Sequence, residues 1–178
     1  MSEKKSMYEK AKSEMRLTER IVAALPGFRG YKEKELRRES DKLIRNHIYM
    51  RLSEARRDLK VAFQKLSDSK MQEVLTDMDR FIMRFDRVAQ KINHASYGYT
   101  GFFNIVKVEE SKLDEMIDYD NGLIDQVEKI VAEADGFRKE VAKQKFEKTR
   151  DHLDSLEEMV ESLEEAFDRR DEVIKGVK

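Results

Sequence analysis

The chain has 178 residues, with 36 Lys and Arg, 37 Asp and Glu, a formal net charge of −1, one Pro, seven Gly and no Cys or Trp. That length suits one domain with a real core, and the missing cysteines exclude a disulfide scaffold, a thiolate nucleophile, a thiolate zinc site and an iron–sulfur cluster. No apolar run approaches the roughly 18 residues of a membrane helix, one Pro disfavours a turn-rich all-β chain, and the Lys/Glu-rich start is not expected to act as a secretory signal, so the reading is a cytoplasmic, nearly all-helical protein with no membrane span.

Apolar residues recur at helical spacing along five segments. The first covers about residues 6–25, where Tyr8, Ala11, Met15, Thr18, Val22 and Leu25 step by three and four. Pro26-Gly27 ends it, because Pro cannot continue the hydrogen-bond ladder. The second covers about residues 31–66 without a breaker. Leu36, Leu43, Ile44, Ile48, Leu52, Ala55, Leu59, Ala62, Phe63 and Leu66 form its stripe, and most other positions are charged. Ser67-Asp68-Ser69 then supplies a turn and a cap for the next helix.

The third segment covers about residues 70–95. Met71, Val74, Met78, Phe81, Phe85, Val88, Ile92 and Ala95 keep the rhythm, with Leu75, Ile82 and Ala89 in a second column. A stripe that wide predicts contact with two neighbours and a central place. Residues 96–101, Ser-Tyr-Gly-Tyr-Thr-Gly, break the pattern. The β-branched and aromatic run at 102–108 fits a short helical turn or an extended packed segment better than a strand without a partner.

The fourth segment opens at Glu109-Glu110-Ser111, acidic residues suited to a helix N-terminus, and carries Leu113, Met116, Ile117, Leu123, Ile124, Val127, Ile130 and Val131. Gly122 inside it costs about 1 kcal/mol relative to Ala and marks a kink or a close helix contact. Asp135-Gly136 offers a stop, or else the fourth and fifth segments form one long bent helix. The fifth covers about residues 137–174, with Ala142, Phe146, Thr149, Leu153, Leu156, Val160, Leu163, Phe167, Arg170 and Ile174 alternating steps of four and three, a heptad seam.

Short links between long amphipathic helices make antiparallel neighbours. The expected fold is therefore all-α, an elongated antiparallel bundle of four or five long helices with a coiled-coil-like C-terminal helix. Residues 1–136 form the bundle domain, and 137–178 a long acidic helix packed on it or extending from it. Up-and-down order brings the 26–31 and 96–108 links to one end, gathering Phe28, Tyr31, Tyr97, Tyr99, Phe102 and Phe103, six of the 15 aromatic residues. With Arg29 at its rim, and Tyr97 and its neighbours as anchors, this end reads as a surface for a protein partner or as a structural cap. Leu153, Leu156, Val160, Leu163 and Phe167 serve either homodimerisation or packing within the chain.

Charge is unevenly distributed. Residues 1–66 carry 18 basic against 10 acidic side chains, 67–106 five of each, and 107–178 thirteen against 22. Such polarity allows a basic arm for nucleic acid. The best stretch, 32–57 with Arg38, Lys42, Arg45, Arg51 and Arg56, is interleaved with Glu35, Glu39 and Asp41, which suits solvated faces with i,i+4 pairs better than a phosphate-binding face.

Patterns for chemistry are sparse. His47, His94 and His152 lack a Glu three residues before them, so the Glu-x-x-His di-iron signature is missing. His94, beside the Tyr/Gly link, is the one singled out. Asp118-Tyr119-Asp120-Asn121-Gly122 is close to a calcium loop, but counting Gly122 as the sixth position puts Ile117 first and Lys129 twelfth. The Gly27/Gly30 and Gly98/Gly101 pairs make neither a dinucleotide fingerprint nor a P-loop. No catalytic residue, metal site or cofactor is assigned, and a non-enzymatic interaction or scaffold protein is the expected function, with a nucleic-acid binder using the basic N-terminal half as the alternative.

Residues 25–35, Leu-Pro-Gly-Phe-Arg-Gly-Tyr-Lys-Glu-Lys-Glu, and 95–103, Ala-Ser-Tyr-Gly-Tyr-Thr-Gly-Phe-Phe, resemble segments of an uncharacterised prokaryotic helical family. The resemblance covers about residues 20–125 and implies limits for a domain, with no activity attached. The acidic heptad tail lies outside it.

Overall fold

A computed structural model describes residues 34–95 and 110–175, with side chains described over 43–95 and 119–170. Among the described residues the structure is all-helical. Its four helices are α1, Lys34–Asp68; α2, Gln72–His94; α3, Glu110–Ala142; and α4, Thr149–Lys175. Among the described residues, no helix is long and apolar enough to cross a membrane. The first sequence segment lies outside the described residues, as do the 26–31 and 96–108 links.

The chain divides into two compact parts, Met1–Ile44 with Gly98–Asn121 and Arg45–Tyr97 with Gly122–Lys178. The described residues of the smaller part belong to the beginnings of α1 and α3, and include the buried Ile44 and Asp120. The larger part is a helical bundle.

Its core is built from one repeated pattern. The buried positions are Ile48, Leu52, Ala55, Leu59, Ala62 and Leu66 on α1, and Val74, Met78, Phe81, Phe85, Val88 and Ile92 on α2. On α3 they are Leu123, Val127, Ile130, Ala134, Phe137 and Val141, and on α4 Thr149, Leu153, Leu156, Val160, Leu163, Phe167 and Arg170. Apart from Ala89, which is buried beside Val88 on α2, every run alternates four and three. A repeat of 3.5 residues keeps one narrow stripe facing its neighbours when helices cross at shallow angles. The three-and-four spacing read in the third segment and named a heptad seam in the fifth is thus common to all four helices. Leu43, at 40% exposure, and the half-buried Phe63 fall off the α1 stripe, which is narrower than the sequence pattern implied.

Ion pairs and hydrogen bonds set direction and register. Arg45 donates to the Asn93 carbonyl at 3.3 Å, Gln90 to the Tyr49 hydroxyl at 3.3 Å, and Arg56 Nη2 to Asp86 at 2.5 Å, so α1 and α2 run antiparallel. Arg51 meets Glu128, and Asp58 meets Arg138 at 2.8 Å, so α1 and α3 run parallel. Arg84 lies near Glu161 and Glu164, Lys91 reaches Glu164 and Asp168, and Arg150 lies 4.0 Å from Asp77, so α2 and α4 run parallel. Within the larger part, two antiparallel hairpins lie side by side. α2 has two neighbours, α1 and α4, but each of the other three helices also has two, so the central place expected for α2 is not what sets it apart.

Both hairpin turns close in the same way. Beyond α1, the Met71 amide donates to the Leu66 carbonyl at 3.1 Å and the Lys70 amide to Ser67 at 3.0 Å, with Lys70 at φ 58°. Beyond α3, the Lys145 amide donates to Glu140 at 3.1 Å and the Gln144 amide to Val141 at 3.0 Å, with Gln144 at φ 59°. Each is a Schellman closure with a left-handed residue just past the helix, a place usually taken by Gly. The expected Ser67-Asp68-Ser69 cap for α2 is corrected: the residue before that helix is Met71, which makes no side-chain capping bond.

The Asp135-Gly136 stop is also corrected. α3 runs through it to Ala142, because Phe137 and Val141 continue the buried column and Asp135 pairs with Arg138 and Lys139, both at 2.5 Å, across one helical turn. Residues 143–148 make the link, so the fourth and fifth segments are two helices rather than one. A Cβ at Gly122 would meet nothing within 4 Å, so no close helix contact explains that glycine.

Candidate functional site

The seven residues expected at the aromatic end, Phe28, Arg29, Tyr31, Tyr97, Tyr99, Phe102 and Phe103, lie outside the described residues. The five seam residues are described. Leu153, Leu156, Val160, Leu163 and Phe167 are 0–5% exposed within a single chain, where they form the α4 side of the core. Residues 119–122 of the calcium-like stretch sit inside α3 as regular helix, without a loop to wrap an ion. Among the described residues, no three or more His, Asp or Glu side chains gather as a metal ion requires.

The polar groups of the bundle form two kinds of site. The first is a set of inter-helix ion pairs. Arg51 grips Glu128 with two parallel bonds, Nε to Oε1 at 2.6 Å and Nη2 to Oε2 at 2.5 Å, and also contacts Glu54. A planar guanidinium matches both carboxylate oxygens at once. The bond to Arg51 holds the Glu128 carboxyl below its ordinary value against the opposing effect of burial. Lys91, bonded to Asp168 at 2.8 Å and Glu164 at 3.2 Å, is raised by the Asp168 bond first, with burial opposing. Asp135 is lowered by its bonds to Lys139 and Arg138.

The second is His152, three residues into α4. Its Nδ1 lies 2.5 Å from Glu133 Oε1 and its Nε2 3.1 Å from Glu140 Oε2, while the ring leans on Phe137 with centroids 5.3 Å apart. Glu133, Phe137 and Glu140 occupy successive turns of one α3 face. The antiparallel hairpin lays the first turn of α4 across them. The largest influence on the imidazole is burial, which lowers its pKa, but the bonds and charges of Glu133 and Glu140 outweigh it, and the group is held above its ordinary value. Glu140 is held low by the His152 bond first, with the charges of His152, Lys148 and Lys145 adding to it and burial opposing. The two carboxylates take opposite nitrogens of one ring and do not converge on a common point, so the arrangement holds a proton and a charge between two helices.

Sequence reading favoured His94, which is exposed, and passed over His152. The signal was available in the seven-residue spacing of Glu133 and Glu140. Ending the helix at Gly136 assigned those two carboxylates to different elements and hid it.

Fold and site together define an all-α helical bundle in which a set of polar side chains ties helix to helix. Comparison with protein-family models, with curated proteins and with solved structures finds no match.

Proposed function

We propose that the chain is a non-enzymatic interaction protein, in which the larger bundle is a stiff frame and the 25–35 and 95–103 segments present aromatic anchors to a protein partner. The observation that supports this reading is directional. Arg45 lies beside Asn93, and Arg51 beside Glu128, so α1 enters, α2 leaves and α3 enters the larger part at the same end. Those are the chain ends that lead toward Phe28, Arg29 and Tyr31 and toward Tyr97, Tyr99, Phe102 and Phe103. The heptad helices are read here as a four-stranded coiled-coil-like core within one chain. With Leu153, Leu156, Val160, Leu163 and Phe167 buried there, homodimerisation through them would require copies to exchange α4.

The nucleic-acid reading is weaker on this bundle. Arg51 and Arg56, two cations of the basic stretch, are engaged by Glu128 and Asp86, and Arg45 donates to a carbonyl. A phosphate would have to displace those partners.

The test compares immobilised wild-type chain with a Tyr99→Ala/Phe103→Ala variant, at low salt and at about 0.5 M salt. The ligands are extract from the source cell and a defined oligonucleotide. The expected result is one stoichiometric protein retained at both salts, lost on the double substitution, with the melting temperature unchanged. Retention that survives the substitutions, or oligonucleotide binding that falls steeply with salt, overturns the reading.

A further inference from the structure

We propose that His152 is a proton-operated latch on the α3–α4 hairpin. Protonated, it ties the first turn of α4 to two turns of α3. Deprotonated, it must release one of them.

Bond accounting at the ring carries the argument. Glu133 Oε1 and Glu140 Oε2 are both acceptors, at 2.5 and 3.1 Å from the two ring nitrogens. Only the imidazolium has a hydrogen on each nitrogen. A neutral ring keeps one N–H, and its bare nitrogen then faces a carboxylate lone pair at hydrogen-bond distance. The side chain is 17% exposed, so water is poorly placed to relieve that contact. Losing the proton therefore costs a tie to Glu133 or to Glu140, at the point where residues 143–148 turn the chain between the helices.

The surrounding charges leave the ring to these two carboxylates. From α3, Glu133 and Glu140 face it. From the link, Lys145 and Lys148 act on Glu140. Asp77 of α2 is met by Arg150, and Asp58 of α1 by Arg138. On the ring's other contact, Phe137 is apolar.

The direction of the linkage follows. His152 is raised in the folded chain, so its contribution is complete below its ordinary value, near 6.5, and is lost as pH rises through the higher folded value. Glu140 is lowered, so its contribution is complete above about 4.5 and is lost as pH falls through the lower folded value. The latch is fully closed between those limits and opens on the alkaline side.

The test uses the full chain. The imidazole Cε1–H signals are titrated by NMR, and thermal unfolding of wild type, His152→Gln and Glu133→Gln is followed at about pH 6 and about pH 9. His152→Gln and the shift caused by Glu133→Gln both identify the His152 resonance. The expected midpoint for His152 lies above 6.5 and moves down in Glu133→Gln. The wild type loses more melting temperature between the two pH values than His152→Gln, and the two converge at the higher one. A midpoint at or below the ordinary value, or equal losses in wild type and His152→Gln, overturns the proposal. If His152→Gln does not fold, the wild-type midpoint and its displacement in Glu133→Gln still decide.

Discussion

Replacing Gly136 with Ala is expected to stabilise the protein, although it removes the residue that most resembles a helix stop. Gly136 lies six residues before the end of α3, in regular helix, and a Cβ built on it meets nothing within 4 Å. No steric cost therefore offsets the gain from restricting the unfolded chain, about 1 kcal/mol for Gly to Ala in a helix interior. Gly122 has the same open surroundings, and the two sites lie roughly 20 Å apart at 1.5 Å per residue, so their effects should add. The double variant is expected to gain about 2 kcal/mol, or about 4–8 °C in melting temperature for a chain of this size. Urea denaturation of wild type, each single variant and the double variant is the assay, with the midpoint rising and the slope unchanged. A lower midpoint for Gly136→Ala would refute the reasoning, since it would mean that the backbone there needs the freedom that only glycine has.

Three further outcomes are expected. Lys70→Gly and Gln144→Gly place glycine at the two left-handed positions, and each should raise stability by about 0.5–1 kcal/mol in urea melts, the strain of an L-residue outweighing glycine's extra unfolded freedom. Thr149 is 3% exposed and its Oγ1 has no hydrogen-bond partner among the described residues. Thr149→Val keeps the shape and removes that group, so calorimetry should show a gain of about 1 kcal/mol. Light scattering should find the full chain monomeric, and a truncation ending at Gln144 should lose its cooperative unfolding. A dimeric full chain with a stable monomeric truncation would instead make α4 an assembly arm.

Long-period features were legible in the sequence. The segments at about 31–66 and 70–95 match the helices at 34–68 and 72–94, because a buried stripe imposes its spacing over many turns, whereas the segment at about 137–174 runs across the 143–148 link and only its later part matches the helix at 149–175. Local features were read less well. Gly136 resembled a terminator because composition does not show that Phe137 and Val141 are buried beyond it. The turn after α1 was marked by Ser67-Asp68-Ser69, whereas nothing local marked the stop at Gln144, a residue with no preference for the left-handed region. His152 was missed for a related reason. Its partners come from another helix, and only the correct end of α3 brings them to it.

The uniform spacing of the core has a cost in uniqueness. A helix slipped by seven residues along its neighbour would still set apolar side chain against apolar side chain, because all four stripes share one period. Burial alone therefore discriminates weakly among such alignments. The charged pairs share part of that tolerance, because Asp135 lies seven residues beyond Glu128 and α4 carries acidic residues at 157, 161, 164 and 168. A slip of α1 along α3 parts Arg51 from Glu128 and Asp58 from Arg138 together, and a slip of α2 along α4 parts Lys91 from Glu164 and Asp168. Partly exposed pairs of this kind add little to the depth of the native well. The pair that separates the alignments is Asp77 with Arg150, since a slip of seven sets Asp77 against Glu157, and such like-charge contacts raise a misaligned state above the native one.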